Sequence, residues 1–132
     1  MRGLTRDLNR KTAPLALLGA LMLLGACDDT GGALARPVDI GDPEQGAREI
    51  AQIGCGACHI IPGIERADGL VGPPLDHMGR RIFIAGLLRN TPDNMMTWLR
   101  NPQAVSPGNA MPDMGLDEER ARDITAYLYT LD

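Results

Sequence analysis

The chain has 132 residues, which is material for one domain of ordinary size and not for two. Its formal net charge is −4, but residues 1–26 hold four of the 13 basic side chains and one of the 17 acidic ones. From residue 27 onwards the formal net charge is therefore −7, and lysine is absent. Such an acidic chain argues against nucleic acid and against anionic membrane surfaces as partners.

The N-terminus has the pattern of an export signal. Four basic residues lie among the first eleven, and the 13 residues from 14 to 26 are uncharged and rich in Leu and Ala. This apolar stretch is shorter than the roughly 20 residues that a membrane-spanning helix needs. Basic residues followed by a short apolar stretch and small residues predict a signal peptide over residues 1–26. An uncleaved anchor and a buried helix are the alternatives.

The predicted signal ends in Leu24-Gly25-Ala26-Cys27, which resembles the lipobox of bacterial lipoproteins. The resemblance implies that Cys27 is acylated and becomes the first residue of the mature protein. Asp28 resembles the residue that retains such lipoproteins at the inner membrane. Ordinary secretion with an incidental Cys27 is the alternative. We therefore expect a lipid-anchored protein on the periplasmic face of a bacterial inner membrane.

Composition divides the remaining chain into a tether and a domain. Residues 27–40 are rich in Asp, Gly, Ala and Pro and offer little apolar surface to bury, so we expect a flexible tether. The folded domain is expected over residues 41–132.

Capping residues predict helices in this domain. Asp42-Pro43 begins the first, which should end near Ile53 or Gly54 and bury Ala47, Ile50 and Ala51. A shorter helix is expected over residues 81–88. Thr91-Pro92 begins another, which ends before Asn101-Pro102. The last begins at Asp117 and carries one apolar stripe, formed by Ala121, Ile124, Tyr127, Leu128 and Leu131. No segment alternates convincingly like a strand, so the predicted fold class is all-α with about four helices and long loops.

Cys55-Gly56-Ala57-Cys58-His59 matches the C-x-x-C-H pattern of covalent haem attachment. Two thiols at this spacing can bond to the two vinyl groups of a porphyrin, and the adjacent imidazole can bind its iron. A thioredoxin-like site, a zinc site and a plain disulfide are the alternatives. The first lacks a βαβ context, the second lacks four good ligands, and the third leaves His59 unexplained.

With this motif in place, residues 42–132 resemble the class I (mitochondrial-type) cytochrome c family. The resemblance rests on the following blocks in order: the helix before C-x-x-C-H, Gly72-Pro73-Pro74-Leu75, Trp98-Leu99-Arg100-Asn101-Pro102, Pro107-Gly108-Asn109-Ala110-Met111-Pro112, and Asp123-Ile124-Thr125-Ala126-Tyr127-Leu128. It implies a class I cytochrome c fold wrapped around one covalent haem c. A buried haem would also explain how a domain with only four aromatic residues gains a core.

The resemblance assigns roles to individual residues. Cys55 and Cys58 would hold the haem, with His59 and Met111 as the axial ligands of its iron. Met114 is the main rival of Met111, and His77 could make a bis-histidine site.

Four more residues take roles around the haem by the same resemblance. The carbonyl of Pro73 would accept a hydrogen bond from His59 Nδ1–H. Arg80 or Arg81 would pair with a haem propionate, and Trp98 would pack against the haem. A plain turn, an exposed arginine pair and simple core packing are the respective alternatives.

The function implied is electron transfer without chemistry on a small-molecule substrate, so we expect a carrier and not an enzyme. The expected donor is a quinol-oxidising complex and the expected acceptor a haem–copper oxidase. The family's docking lysines are missing here, so the acidic chain should meet a cationic partner. The alternatives are a ligand-binding or catalytic c-type haem protein with a labile Met ligand, a haem subunit of an oxidase or dehydrogenase complex, and a structural subunit.

Replacing the predicted lipidation residue tests the anchor. Cys27→Ser should move the protein from the membrane fraction to the soluble periplasmic fraction, because the thiol that carries the lipid is lost. Thr30→Ser, three residues further on, is the matched control and should leave the protein in the membrane fraction. A Cys27→Ser protein that still sediments with membranes would contradict lipidation.

Overall fold

The structure is a computed structural model, and it describes residues 40–132. The predicted signal peptide, Cys27 and the tether up to residue 39 lie outside the described residues. Among residues 40–132, no helix is both long and apolar enough to cross a membrane.

The first helix, α1, spans Pro43–Ile53 and begins and ends as the sequence predicts. The Asp42 carboxylate caps it by accepting hydrogen bonds from the backbone N–H groups of Glu44 and Gln45, at 2.9 and 3.0 Å. Gly54 ends it in the left-handed conformation, with φ +86°, which glycine adopts without a steric penalty. Local capping chemistry therefore determines both ends of α1.

Two helices follow each other closely in the middle of the chain. Helix α2 spans Pro92–Arg100, with Thr91 as its cap, as predicted. Helix α3 spans Pro102–Val105 and was not predicted, because Asn101-Pro102 was interpreted only as the end of α2. The side chain of Asn101 accepts a hydrogen bond from the N–H of Ala104 at 3.2 Å, so Asn101 starts a new helix while ending the previous one.

The last helix, α4, spans Glu118–Tyr129, and Asp117 caps it through the N–H of Arg120 at 2.8 Å. The predicted apolar stripe faces the core: Ala121, Ile124 and Leu128 are buried there. Tyr127 and Leu131 pack at its edge.

Residues 81–88 do not form a helix, and the all-α prediction is wrong in this region. Phe83–Ile84 (β1) and Leu88–Arg89 (β2) form a two-stranded antiparallel hairpin, in which Phe83 pairs with Arg89 and Ile84 with Leu88. Ala85 and Gly86 both have positive φ, at 51° and 73°, as a tight hairpin turn of the primed type requires. Two short 3₁₀ turns, Cys55–Ala57 and Met78–Arg80, complete the elements of the described residues.

The core of the domain is built on the crossing of α1 and α4. A Cβ atom at Gly46 would collide with the backbone carbonyl of Asp123, so the two helices touch backbone to backbone. Ile50 and Ile124 lie in the core on either side of this crossing, as expected from the sequence. Ala51, by contrast, is exposed, because α1 turns its other face to α4.

An ion pair ties the same two helices at the edge of their interface. The guanidinium of Arg120 on α4 donates a hydrogen bond through Nε to one carboxylate oxygen of Glu49 on α1 at 2.7 Å, and its Nη2 lies 2.6 Å from the same oxygen. Gln45 donates to the other oxygen of Glu49 at 3.0 Å. The Glu49 side chain is only 12% exposed, so this pair is better shielded from solvent than an ordinary surface ion pair.

The crossing predicts that Gly46 tolerates no side chain. Gly46→Ala should lower the free energy of unfolding by about 2 kcal/mol or more, because the added methyl group forces the helices apart. Ala51→Ser, at the exposed position of the same helix, is the control and should change it by less than about 0.5 kcal/mol. Chemical denaturation of both variants measures the difference. Equal stability of the two would show that α1 and α4 do not cross at Gly46.

Candidate redox site at the Cys55–His59 turn

The C-x-x-C-H segment is a compact turn directly after α1. The backbone carbonyl of Cys55 accepts hydrogen bonds from the N–H groups of Cys58 and His59, at 3.2 and 3.1 Å. The left-handed Gly54 reverses the chain as it leaves α1. The turn therefore presents both thiols and the imidazole from the end of a helix that is anchored in the core.

The imidazole of His59 has a fixed orientation. Its Nδ1–H donates a hydrogen bond to the backbone carbonyl of Pro73 at 2.7 Å, which is the contact expected from the sequence. The ring also packs against Gly72, where a Cβ atom would collide with it. The hydrogen bond selects the tautomer with its proton on Nδ1, so the lone pair of Nε2 is available to a metal.

Backbone hydrogen bonds join the turn to the loop that follows it. The N–H groups of Gly69, Gly72 and Leu75 donate to the carbonyls of Gly56, Cys58 and Ile60, at 3.0, 2.8 and 2.8 Å. The irregular loop thus runs alongside the turn as if the two were paired strands. This pairing carries Gly72 and Pro73 to the ring of His59.

Helix α4 supports the same loop from behind. The hydroxyl of Tyr127 donates to the carbonyl of Pro62 at 2.6 Å. Burial raises the pKa of the Tyr127 hydroxyl above its usual value, so it remains a hydrogen-bond donor across the physiological range. Tyr127 therefore packs at the edge of the core, as its place in the apolar stripe predicts. Its hydroxyl also makes a hydrogen bond that the stripe does not predict.

Cys55 and Cys58 are free thiols, and both are half-buried. Burial raises the pKa of the Cys55 thiol; a backbone hydrogen bond opposes part of the rise, and the nearby Cys58 adds to it. Cys55 thus stays protonated at neutral pH, and a protonated thiol is a weak nucleophile. Its side chain packs against the edge of the core.

Met111 and Trp98 border the same core. Both side chains are partly buried against it, as is the rival methionine, Met114. The structure thus brings Cys55, Trp98 and Met111 to the edge of one apolar cluster, although they come from three separate parts of the chain. Sequence reasoning did not identify Gln103 and Asn109, whose amide side chains hold the backbone of Met111.

Arg80 and Arg81 lie in different environments. Arg81 donates to the carbonyls of Pro74 and Asp76, at 2.6 and 2.9 Å, and forms an ion pair with the Asp76 carboxylate at 3.3 Å. Arg81 therefore braces the loop that carries Pro73. Arg80 is exposed, and so is His77, which lies 3.8 Å from the Asp76 carboxylate.

Within residues 40–132, no group of three or more His, Cys, Asp or Glu side chains is placed to hold a metal ion. A metal bound by His59 would therefore need a donor of another kind as well. The thioether of Met111 is such a donor, because soft sulfur ligands suit redox metals.

Comparisons with known proteins relate this chain to respiratory oxidases. No family model matches it. It is 35% identical over 88 residues to cytochrome c oxidase subunit 2 of Alkalihalophilus pseudofirmus, which covers 66% of this chain and 25% of that protein. It is 36% identical over 81 residues to the protein of the same name from Bacillus sp. strain PS3, covering 58% and 23% respectively. A third protein of that name, from Bacillus subtilis, is 31% identical over 70 residues, covering 52% and 20%. The chain thus spans about a quarter of the length of the relatives that it matches.

These relatives correct three predictions. They are named for an enzyme that oxidises cytochrome c and not for a cytochrome c, which contradicts the expected class I cytochrome c fold and the expected cofactor, one covalent haem c. The expectation of a carrier and not an enzyme is contradicted as well, because the relatives are named as subunits of an oxidase, which is an enzyme complex. The roles of the individual site residues, the motif resemblance and the lipid anchor stay predictions.

The contact between Gly72 and His59 can be tested directly. Gly72→Ala should displace the imidazole and break its bond to Pro73, because the new methyl group would occupy the position of the ring. In NMR spectra of the protein, the signal of the hydrogen-bonded Nδ1–H of His59 should then disappear. Val71→Ala, at the exposed neighbouring position, should keep that signal. Its survival in Gly72→Ala would disprove the close packing.

Proposed function

We propose that this protein is an electron-transfer subunit of a terminal respiratory oxidase complex, with its redox centre at the Cys55–His59 turn. The relatives named as oxidase subunits support the association with an oxidase. The hydrogen bond from His59 to Pro73 is the observation that carries the redox role.

That hydrogen bond is typical of a metal-binding histidine. Such residues almost always donate their other ring N–H to a carbonyl or carboxylate, which fixes the ring and raises its basicity as a ligand. Here the donor is Nδ1–H, the acceptor is the carbonyl of Pro73, and the distance is 2.7 Å. Arg81 holds the loop of this acceptor in turn. A histidine that served only as an exposed surface residue would need no such support.

The residues around the turn have complementary roles in this proposal. A redox metal held there would gain and lose single electrons. His59 would bind it through Nε2, Cys55 and Cys58 would hold it through their sulfur atoms, and Met111 would supply a second, softer ligand. Trp98 and the adjoining core keep water away from one side, which lowers the solvent reorganisation that accompanies a change of charge.

Exposed apolar side chains next to the turn support contact with a redox partner. Leu70 and Val71 are 84% and 73% exposed, and they project from the loop that is paired with the turn. Exposed apolar side chains that lie next to each other mark contact surfaces more often than single exposed ones do. The acidic chain would bring this surface to a cationic patch on the oxidase or on its electron donor.

The site of action proposed is the periplasmic face of a bacterial inner membrane, with lipid on Cys27 as the anchor. Residues 27–40 would then tether the domain close to the oxidase and raise its effective concentration there. The observations that support this are the basic and apolar N-terminal pattern and its position directly before Cys27.

The two histidines of the chain make a matched test of the redox centre. His59→Ala should abolish reversible one-electron oxidation and reduction of the full chain and lower its metal content, because the nitrogen ligand is lost. His77→Ala should leave both properties unchanged, since His77 is exposed and away from the Pro73 contact. Potentiometric titration and elemental analysis of the purified proteins measure them.

Two further measurements complete the experiment. Staining for haem after denaturing electrophoresis identifies the metal group as a porphyrin or as a free ion. Deleting the gene should lower electron flow to oxygen in isolated membranes while the other oxidase subunits are still assembled. Unchanged redox behaviour of His59→Ala, or unchanged electron flow after deletion, would disprove the proposal.

A further inference from the structure

The backbone of Met111 is held by side chains and not by regular secondary structure. Its N–H donates to the side-chain oxygen of Asn109 at 2.8 Å, and its C=O accepts from the side-chain nitrogen of Gln103 at 2.8 Å. The residue lies in a bend between α3 and α4 and pairs with no helix or strand. Two amide side chains therefore set the position from which the Met111 thioether projects.

The Gln103 amide uses both of its N–H donors and its oxygen in this loop. Its nitrogen donates to the carbonyls of Asn109 and Met111, at 3.0 and 2.8 Å, and its oxygen accepts from the N–H of Gly108 at 3.0 Å. One side chain thus closes the turn from residue 108 to residue 111. Gly108 has φ +81°, so the turn needs a glycine at that position.

Asn109 continues the same network towards the core. Its side-chain nitrogen donates to the carbonyls of Pro102 and Ser106, at 3.0 and 2.6 Å. Pro102 is fully buried, and it begins α3. The buried start of α3 therefore fixes the position of Met111 through the side chains of Gln103 and Asn109.

Met114, the rival ligand, has no comparable support. Across residues 40–132, neither its N–H nor its C=O makes a hydrogen bond within the protein. A metal ligand must be held within a fraction of an ångström of its productive position by its surroundings. The difference in support favours Met111.

We infer that Gln103 is a positioning residue for the redox centre, which it serves by holding the backbone of Met111. This inference rests on the proposed function, because it assumes that Met111 binds the metal. Gln103 itself does not touch the metal. Its effect passes through the loop, so it should change the redox potential without changing the ligand set.

Four variants of the full, metal-loaded chain test the inference. Gln103→Leu removes all three hydrogen bonds of the amide. Gln103→Glu keeps an acceptor for Gly108 but loses both donors, so it separates closure of the turn from support of Met111. Gln45→Leu is the matched control, because Gln45 also hydrogen-bonds through both its side-chain atoms but lies on α1. Met111→Leu serves as the reference for loss of the thioether.

Two readouts are needed: amide hydrogen exchange by NMR and the midpoint potential by redox titration. In Gln103→Leu the N–H of Gly108 loses its acceptor, and the backbone of Met111 loses the hydrogen bond to its carbonyl. The amides of both residues should therefore exchange about tenfold faster or more, because the turn opens more often. In Gln103→Glu only Met111 should exchange faster. Both variants should shift the midpoint potential in the direction that Met111→Leu does, and Gln45→Leu should not shift it.

The outcomes separate the inference from the proposed function. If Met111→Leu shifts the potential and both Gln103 variants keep that of the unmodified protein, the positioning role is disproved and the ligand assignment stands. If Met111→Leu leaves the potential unchanged, Met111 is not a ligand, and this part of the proposed function fails together with the inference. Should Gln103→Leu not fold, Gln103→Glu decides the matter alone.

Discussion

The close crossing of α1 and α4 is the constraint on which the rest of the domain depends. The two helices meet backbone to backbone at Gly46, and Ile50 and Ile124 fill the core beside the contact. Because α1 ends at Ile53 and the cysteine turn begins at Cys55, the crossing also fixes where the thiols and His59 emerge. The Glu49–Arg120 pair limits sliding of one helix along the other. The candidate site is thus held rigidly by the interface between α1 and α4 and not by the loops around it.

The long loops are ordered by polar contacts in place of secondary structure. Tyr127 holds the loop at Pro62, Arg81 holds the loop at Pro74, and Gln103 holds the loop at Met111. Each of these side chains donates to backbone carbonyls that have no partner in a helix or sheet. A carbonyl left without a partner away from water would cost roughly 1–3 kcal/mol. Three glycine- and proline-rich loops therefore keep defined shapes although the domain has few large apolar side chains.

The hairpin is attached to α4 by the same means. The Asn90 amide donates to the carbonyls of Met78 and Arg81, both at 2.8 Å, and its oxygen accepts from the hydroxyl of Tyr129 at 2.8 Å. Without these contacts a hairpin with two residues in each strand would not be stable in water. The hairpin and the loop at Pro62 thus both depend on the C-terminal end of α4.

The sequence alone determined the elements whose signals are local. Asp42, Thr91 and Asp117 mark the starts of α1, α2 and α4, because a helix cap acts over three or four residues that are adjacent in the chain. The C-x-x-C-H spacing likewise identified the candidate site, and the expected bond from His59 to Pro73 is present.

Only the tertiary structure decided what depends on distant partners. Residues 81–88 form a hairpin because Asn90 and Tyr129 hold them, although the residues themselves do not exclude a helix. Arg81 braces a loop, and Gln103 supports Met111, through contacts that require the whole domain to be folded. The cofactor expected from the motif was overturned by comparison with oxidase subunits. A short ligand motif specifies donor atoms and their spacing, whereas the group that they hold depends on the fold and the partners around them.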